Sequence, residues 1–301
     1  MHDRQKTVPM SACGRPLFEV VQPDRQSGPL VFNSPHSGRL YTDDFLAASR
    51  LDRQTIRRSE DHHVDDLFAS VTALGAPLLK AHFPRAWLDV NREPYELDPR
   101  MFDAPLPAHV NSTSLRVTGG LGTIPRLVAE NVDIYRGRLD VGEALRRIET
   151  VYRPYHACLR RLIAQTHVRF GQAVLIDCHS MPAGIKSGSG QARPDFIVGD
   201  RYGSSASHEL TRVAVAVLSG LGYRVARNKP YAGGFITEHY GRPARGLHAL
   251  QIEINRGLYI DETSLQLTAG FRQLQIDLTH FADQMLEYGR TTLNDGLLAA
   301  Q

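Results

Sequence analysis

Five short clusters of His, Asp, Glu, Asn and Arg stand out in this 301-residue chain, because each sits at or near the end of an apolar run. Ser34-Pro35-His36-Ser37-Gly38 follows Leu30-Val31-Phe32, and Asp177-Cys178-His179-Ser180-Met181-Pro182 follows Ala173-Val174-Leu175-Ile176. A histidine just past a buried strand can offer a ring nitrogen to a metal or a substrate, and Asp177 is close enough to orient His179. Gly38 suits a sharp backbone turn. Glu60-Asp61-His62-His63-Val64-Asp65-Asp66-Leu67 crowds potential ligands at a helix start, where Asp61 suits the N-cap and carboxylates meet a favourable dipole. Neighbours such as His62 and His63 point in different directions on a helix and rarely share one metal. Arg85 and Asp89-Val90-Asn91-Arg92 bring planar guanidinium forks that fit a carboxylate or a developing oxyanion. In Gln251-Ile252-Glu253-Ile254-Asn255-Arg256, alternation puts Gln251, Glu253 and Asn255 on one strand face. A glutamate in an apolar strand is costly to bury unless it is used or paired.

Together these residue types make a hydrolytic set. A catalytic zinc takes three protein ligands and keeps one position open for water. It lowers the pKa of that water and polarises a carbonyl. A carboxylate outside the ligand set takes the proton, and a cation stabilises the oxyanion. Two histidines and a carboxylate, with a separate glutamate and a cation, can fill those places. Nucleophilic chemistry has less support: Ser180 lacks the G-x-S-x-G elbow, and Cys178 reads as a small buried residue.

The elements that must position these residues follow from hydrophobic periodicity. Strands are predicted at Leu17 to Val21, Leu30 to Phe32, Pro77 to Ala81, Ala86 to Val90, Ala173 to Asp177, Phe196 to Gly199, Tyr223 to Val225 and Leu247 to Ile254. Helices are predicted at Asp65 to Leu74 with Gly75 as C-cap, at Leu139 to Gln165 with a kink at Pro154, from Leu210 to Leu221, and from Leu267 to Met285. Glu93 to Thr123 reads as a long loop. Strands and helices alternate and the strands are apolar on both faces. That pattern predicts an α/β fold, with a mixed, mostly parallel sheet between helices. We read residues 1–27 as an extended arm and 28–301 as a single domain. In open sheets of this kind, sites lie beyond the carboxyl ends of the strands.

Composition narrows the classes. Hydrophobic residues make up 42% and charged residues 22%, which suits a soluble globular chain with a real core. The net charge is +3, from 35 Lys+Arg against 32 Asp+Glu, with both signs interspersed, which argues against a nucleic-acid partner. Cys13, Cys158 and Cys178 are far apart, so neither a disulfide framework nor a thiolate zinc site is expected. No apolar run approaches the roughly 20 residues of a membrane helix. Met1 to Thr7 is polar and lacks an apolar signal core, so the expected location is the cytoplasm. Oligomeric state has no signature in the sequence.

The order of these clusters resembles the N-formylglutamate amidohydrolase (N-formylglutamate deformylase) family from about Asn33 to Tyr288. Gly120-Leu121-Gly122-Thr123-Ile124-Pro125-Arg126, Arg193-Pro194-Asp195, Tyr231-Ala232-Gly233-Gly234-Phe235 and Leu258-Tyr259 extend the match. The resemblance implies a zinc carboxypeptidase-like (phosphorylase/hydrolase-like) fold with about eight strands. It implies hydrolysis of N-formyl-L-glutamate to formate and L-glutamate in histidine breakdown, with a small anionic N-formyl amino acid as substrate. It makes His36 and His179 zinc ligands, Asn91 and Arg92 a substrate-holding pair and Glu253 the base. Carboxypeptidases carry a glutamate three residues after the first histidine; here that position is Arg39, so the third ligand must come from elsewhere. Asp61 is preferred and Asp65 is the alternative. Arg92 or Arg85 would stabilise the oxyanion. Arg193, Arg242, Arg245 and Arg256 are candidates for the substrate carboxylates, and Tyr231 to Phe235 for a loop closing over substrate. The competing expectations are a hydrolase of the same fold acting on another N-acyl or N-formimino amino acid, and a metal-free binding protein that kept the fold.

Overall fold

The computed structural model describes residues 9–11, 14–184 and 193–299, with side chains as far as residue 291. Cys13 and the polar stretch Met1 to Thr7 lie outside the described residues. The strands are β1 Phe18–Val21, β2 Leu30–Ser34, β3 Leu78–Ala81, β4 Leu127–Ala129, β5 Val132–Asp133, β6 Ala173–Met181, β7 Phe196–Gly199, β8 Val225–Arg227 and β9 Leu247–Asn255. The helices are α1 Asp43–Ala48, α2 Val64–Leu67, α3 Leu115–Thr118, α4 Val141–Arg147, α5 Arg153–Phe170, α6 His208–Gly220, α7 Phe235–Tyr240 and α8 Gly270–Ala299. The chain divides into two compact units. One comprises Val20–Ser34, Asp61–Leu79 and Leu159–Gln301; the other comprises Met1–Glu19, Pro35–Glu60 and Lys80–Cys158.

The first unit is built on a sheet ordered β1-β3-β2-β6-β9-β7-β8. The resemblance implied about eight strands; this sheet has seven among the described residues. β2, β6 and β9 are parallel neighbours and β8 is parallel to β7, while β7 runs antiparallel to β9. The sheet is therefore mixed and mostly parallel. Period-two alternation sorts its side chains. Leu30, Phe32, Val174, Ile176, Cys178, Leu250, Ile252 and Ile254 join Leu210, Ala214 and Leu218 of α6 and Leu274, Leu278, Phe281 and Met285 of α8 in one core. The residues between them start apolar, at Ala173, Leu175 and Ala249. They turn polar at Asp177, His179, Gln251, Glu253 and Asn255, and all of them are buried. α7 packs against β6 and β9.

Several predicted elements are corrected. β6 runs past its predicted end at Asp177 to Met181, so His179 lies inside a strand, held rung by rung against β9 as far as the Met181–Asn255 pair. The helix predicted from Asp65 stops at Leu67 and a 3-10 stretch, Ala69–Thr72, follows. Its N-cap is His63, in the left-handed region at φ 56°, not Asp61, whose carboxylate is engaged elsewhere. β8 starts two residues later than predicted.

The second unit has little regular sheet. β4 and β5 form an antiparallel pair. The predicted strand Ala86 to Val90 is absent: the amides of Trp87 and Leu88 both donate to the Pro84 carbonyl, which makes a turn. The helical run from α4 into α5 passes through a π turn at Ile148–Tyr152. Pro154 has no N–H to give, and the Arg153 amide reaches back five residues to the Ile148 carbonyl. The irregularity therefore precedes the proline. Gly38 does not occupy the left-handed region; it is needed because a Cβ there would run into the Phe83 carbonyl. Buried charge braces this unit, with Arg147 donating to the Trp87 carbonyl (3.0 Å) and to the Tyr135 hydroxyl (3.1 Å). No helix among the described residues is long and apolar enough to cross a membrane.

Candidate functional site

In the sheet-bearing unit, the site is laid out by β2, β6 and β9. Asn33 at the end of β2 lies opposite Asp177 of β6 and donates its Nδ2 to Asp177 Oδ1 at 2.7 Å. His179 follows on the same face. Its Nε2 lies 3.0 Å from Asp177 Oδ2 and its Nδ1 lies 2.9 Å from Asp61 Oδ2. Burial opposes charge on this ring, but Asp177 and Asp61 outweigh it and hold His179 well above the usual histidine range. Asp61, not Asp65, is the carboxylate against His179; Asp65 is buried in α2. Arg256 fixes Asp61 from the other side, donating Nη2 to Asp61 Oδ1 at 3.2 Å and Nε to the Ser180 hydroxyl at 3.1 Å. Glu253 is the β9 rung directly beside His179.

His36 leaves the sheet two residues after Ser34, at the end of the strand next to β6. Within its own unit its Nε2 lies 2.7 Å from Asp89 Oδ1. Asp89 also accepts from the Asn91 amide (2.8 Å) and from Arg85 Nε (3.0 Å), with Arg92 Nη2 at 3.5 Å. Desolvation raises the Asp89 pKa, yet Arg92, His36 and Arg85 hold it well below the usual carboxylate range. Arg92 is buried and its pKa is pushed down to about 10, chiefly by desolvation, so it stays charged near neutrality. Its Nε donates to the Leu121 carbonyl at 2.7 Å, which puts the glycine-rich stretch Gly120 to Gly122 beside it.

The two histidines share one arrangement. Each ties Nε2 to a buried carboxylate, Asp89 or Asp177, and so turns Nδ1 the other way. This is the arrangement by which a carboxylate fixes the tautomer and orientation of a metal-ligating imidazole. His36, Asp61 and His179 are all buried and carry donor atoms of the kind that could hold a metal ion. At His179 an imidazole nitrogen, Nδ1, and a carboxylate oxygen, Asp61 Oδ2, lie 2.9 Å apart, a donor pair of the kind that divalent metals take. The residues present therefore fit a divalent metal.

The structure does not bring all the candidate arginines to this region. Arg242 and Arg245 are exposed just before β9. Glu253 lies six residues into that strand from Leu247, roughly 20 Å on at about 3.3 Å per residue. Arg242 instead donates to the Glu238 and Gly241 carbonyls at the end of α7. Arg193 is exposed, next to Pro194, whose carbonyl accepts from Asn255 Nδ2. Sequence reasoning missed Asp89 as partner of His36, 53 residues away, and Gln251 as partner of Glu253.

The His179 imidazole, buried between two carboxylates with Glu253 on the next rung, offers the kinds of group that a hydrolase uses to activate water. The chain belongs to the N-formylglutamate amidohydrolase family, whose model matches residues 28–260. It is 30% identical over 238 residues to an N-formylglutamate deformylase from Pseudomonas putida, covering 78% of this chain and 83% of that one. A deformylase of the same name from Pseudomonas aeruginosa is 29% identical over 249 residues, covering 82% and 87%. The crystal structure of N-formylglutamate amidohydrolase from Ralstonia eutropha JMP134 superposes with a TM-score of 0.86 at 37% identity, covering 91% of this chain and 99% of that one. A gene product of Agrobacterium tumefaciens shares the fold, with a TM-score of 0.64 at 18% identity and 92% and 94% coverage. The chain is accordingly a hydrolase acting on an amide.

Proposed function

We propose that this protein hydrolyses N-formyl-L-glutamate to formate and L-glutamate, with one divalent metal ion, zinc, held by His36, Asp61 and His179. The observation that carries the metal reading is the shared tie of both histidines, Nε2 to a buried carboxylate in each case. The substrate reading is supported by the names of the family and its relatives. When bound, the metal supplies Lewis acidity to the formyl carbonyl and lowers the pKa of water.

The chain's own residues do the rest. Glu253, beside His179 on the next strand, takes the proton of the attacking water and delivers it to the departing amine nitrogen. Arg92, assisted by Arg85, stabilises the negative charge on the former carbonyl oxygen. Asn91 and Arg193 are assigned to the substrate carboxylates. Arg256, already engaged with Asp61 and Ser180, serves chiefly to hold Asp61. Water adds across one amide bond, so the products are one formate and one glutamate. A small anionic substrate and a cytoplasmic setting complete the reading.

Formate release from N-formyl-L-glutamate tests it, with chelator and with zinc added back. Release that the chelator abolishes and zinc restores is expected. No release from metal-loaded protein would overturn the substrate assignment and call for a screen of N-formimino and other N-acyl amino acids.

A further inference from the structure

The stretch Tyr231-Ala232-Gly233-Gly234-Phe235 was expected to close over substrate. Within the sheet-bearing unit it is instead tied down at Ala232 and at Gly234. The Arg201 amide donates to the Ala232 carbonyl at 2.8 Å, and a Cβ on Gly199 would collide with Ala232. The Gly234 amide donates to Gln251 Oε1 at 2.7 Å, and the Thr237 hydroxyl reaches the same oxygen at 3.4 Å. α7 begins immediately after Gly234.

A backbone N–H can only donate, so the group facing Gly234 must be the carbonyl oxygen of the Gln251 amide. That settles which way the amide is turned. Its NH₂ then faces Glu253 and donates from Nε2 to Oε1 at 2.8 Å. Gln251, Glu253 and Thr237 are all buried, so these bonds form out of competition with water.

We propose that Gln251 is a positioning residue for the base. The glycine stretch fixes the Gln251 amide through Gly234, and Gln251 fixes the Glu253 carboxylate. A donor on Oε1 holds the carboxylate in one rotamer and directs proton transfer to Oε2. The stretch thus acts as a rigid strut behind the base. This inference rests on the reading of Glu253 as the base.

The test compares Gln251→Leu, Gln251→Glu and Glu253→Gln with the wild-type holoenzyme, measuring kcat and KM for N-formyl-L-glutamate, bound zinc and thermal midpoint. Gln251→Leu is expected to lower kcat about 10- to 100-fold, the usual cost of removing such an outer partner. KM should stay within threefold and zinc content at wild-type level. Gln251→Glu keeps the acceptor for Gly234 but loses the donor to Glu253, and is expected to lower kcat at least as far. Gly234→Pro removes the N–H at the start of the relay; combined with Gln251→Leu it should add less than the product of the two single effects. Wild-type kcat in a folded, zinc-loaded Gln251→Leu protein would overturn the inference. So would a loss that appears only in KM, or only together with zinc loss. An inactive wild-type enzyme, or an active Glu253→Gln, would instead sink the reading on which the inference rests.

Discussion

At His179 the ring lies between Asp177 and Asp61, and at His36 the ring leans on an Asp89 that two arginines and the Asn91 amide also hold. The outer carboxylates have a dual task, because they orient the imidazoles and are themselves charges buried away from water. Asp177→Asn keeps the shape but weakens the acceptor, and zinc affinity should fall about 10- to 100-fold. Competition against a fluorescent chelator measures this directly. Asp89→Asn leaves Arg92 buried without its anion, and breaking a buried pair costs about 3–5 kcal/mol. Urea denaturation of the variant should show a loss of that order; an unchanged midpoint would mean that Arg92 finds another anion. Glu253→Gln is expected to reduce kcat by about 10²- to 10⁴-fold, the range for a general base, with little change in stability.

At the scale of elements, β9 was readable because the alternation of Gln251, Glu253 and Asn255 with Ile252 and Ile254 is the signature of a strand between a core and a polar face. α6 and α8 were readable for the same reason at helical period, and Leu278→Ala in α8 should cost about 2–5 kcal/mol in chemical denaturation. The end of β6 was set too early, at Asp177, because His179 and Ser180 look like a strand end to a local rule. Only the partner rungs on β9 keep them extended. Trp87-Leu88-Asp89-Val90 failed the other way: apolar residues suggested a strand, while local hydrogen bonds to Pro84 made a turn. The pairing of His36 with Asp89 spans 53 residues that no local spacing links, while Gln251 and Glu253 were legible as neighbours on one face but not as hydrogen-bond partners. Gly38→Ala should markedly lower the thermal midpoint, since its Cβ would meet the rigid Phe83 backbone.

For the whole molecule, several carboxylates are held below their ordinary range. Burial pushes Asp200 up, but bonds from Asn228, Thr211, the Gly203 amide and Arg227 prevail and lower it. Asp195 is likewise lowered, by Arg224 against desolvation. A group depressed in the folded state contributes its full stability above its unfolded pKa and loses it as pH falls through the folded value. The thermal midpoint should therefore decline on the acid side, below about pH 4, where unfolded aspartates begin to take up protons. Asp200→Asn should lower the midpoint at neutral pH and flatten part of that decline in a pH series of melts.

β6 carries a proposed ligand and β9 the proposed base, and both are interior strands, hydrogen-bonded on either edge and buried over the polar stretch. Their amides have no route to solvent through fraying, so hydrogen exchange there should require the whole sheet to open. On heating, the face that β6 and β9 carry should then be lost only when the sheet itself unfolds.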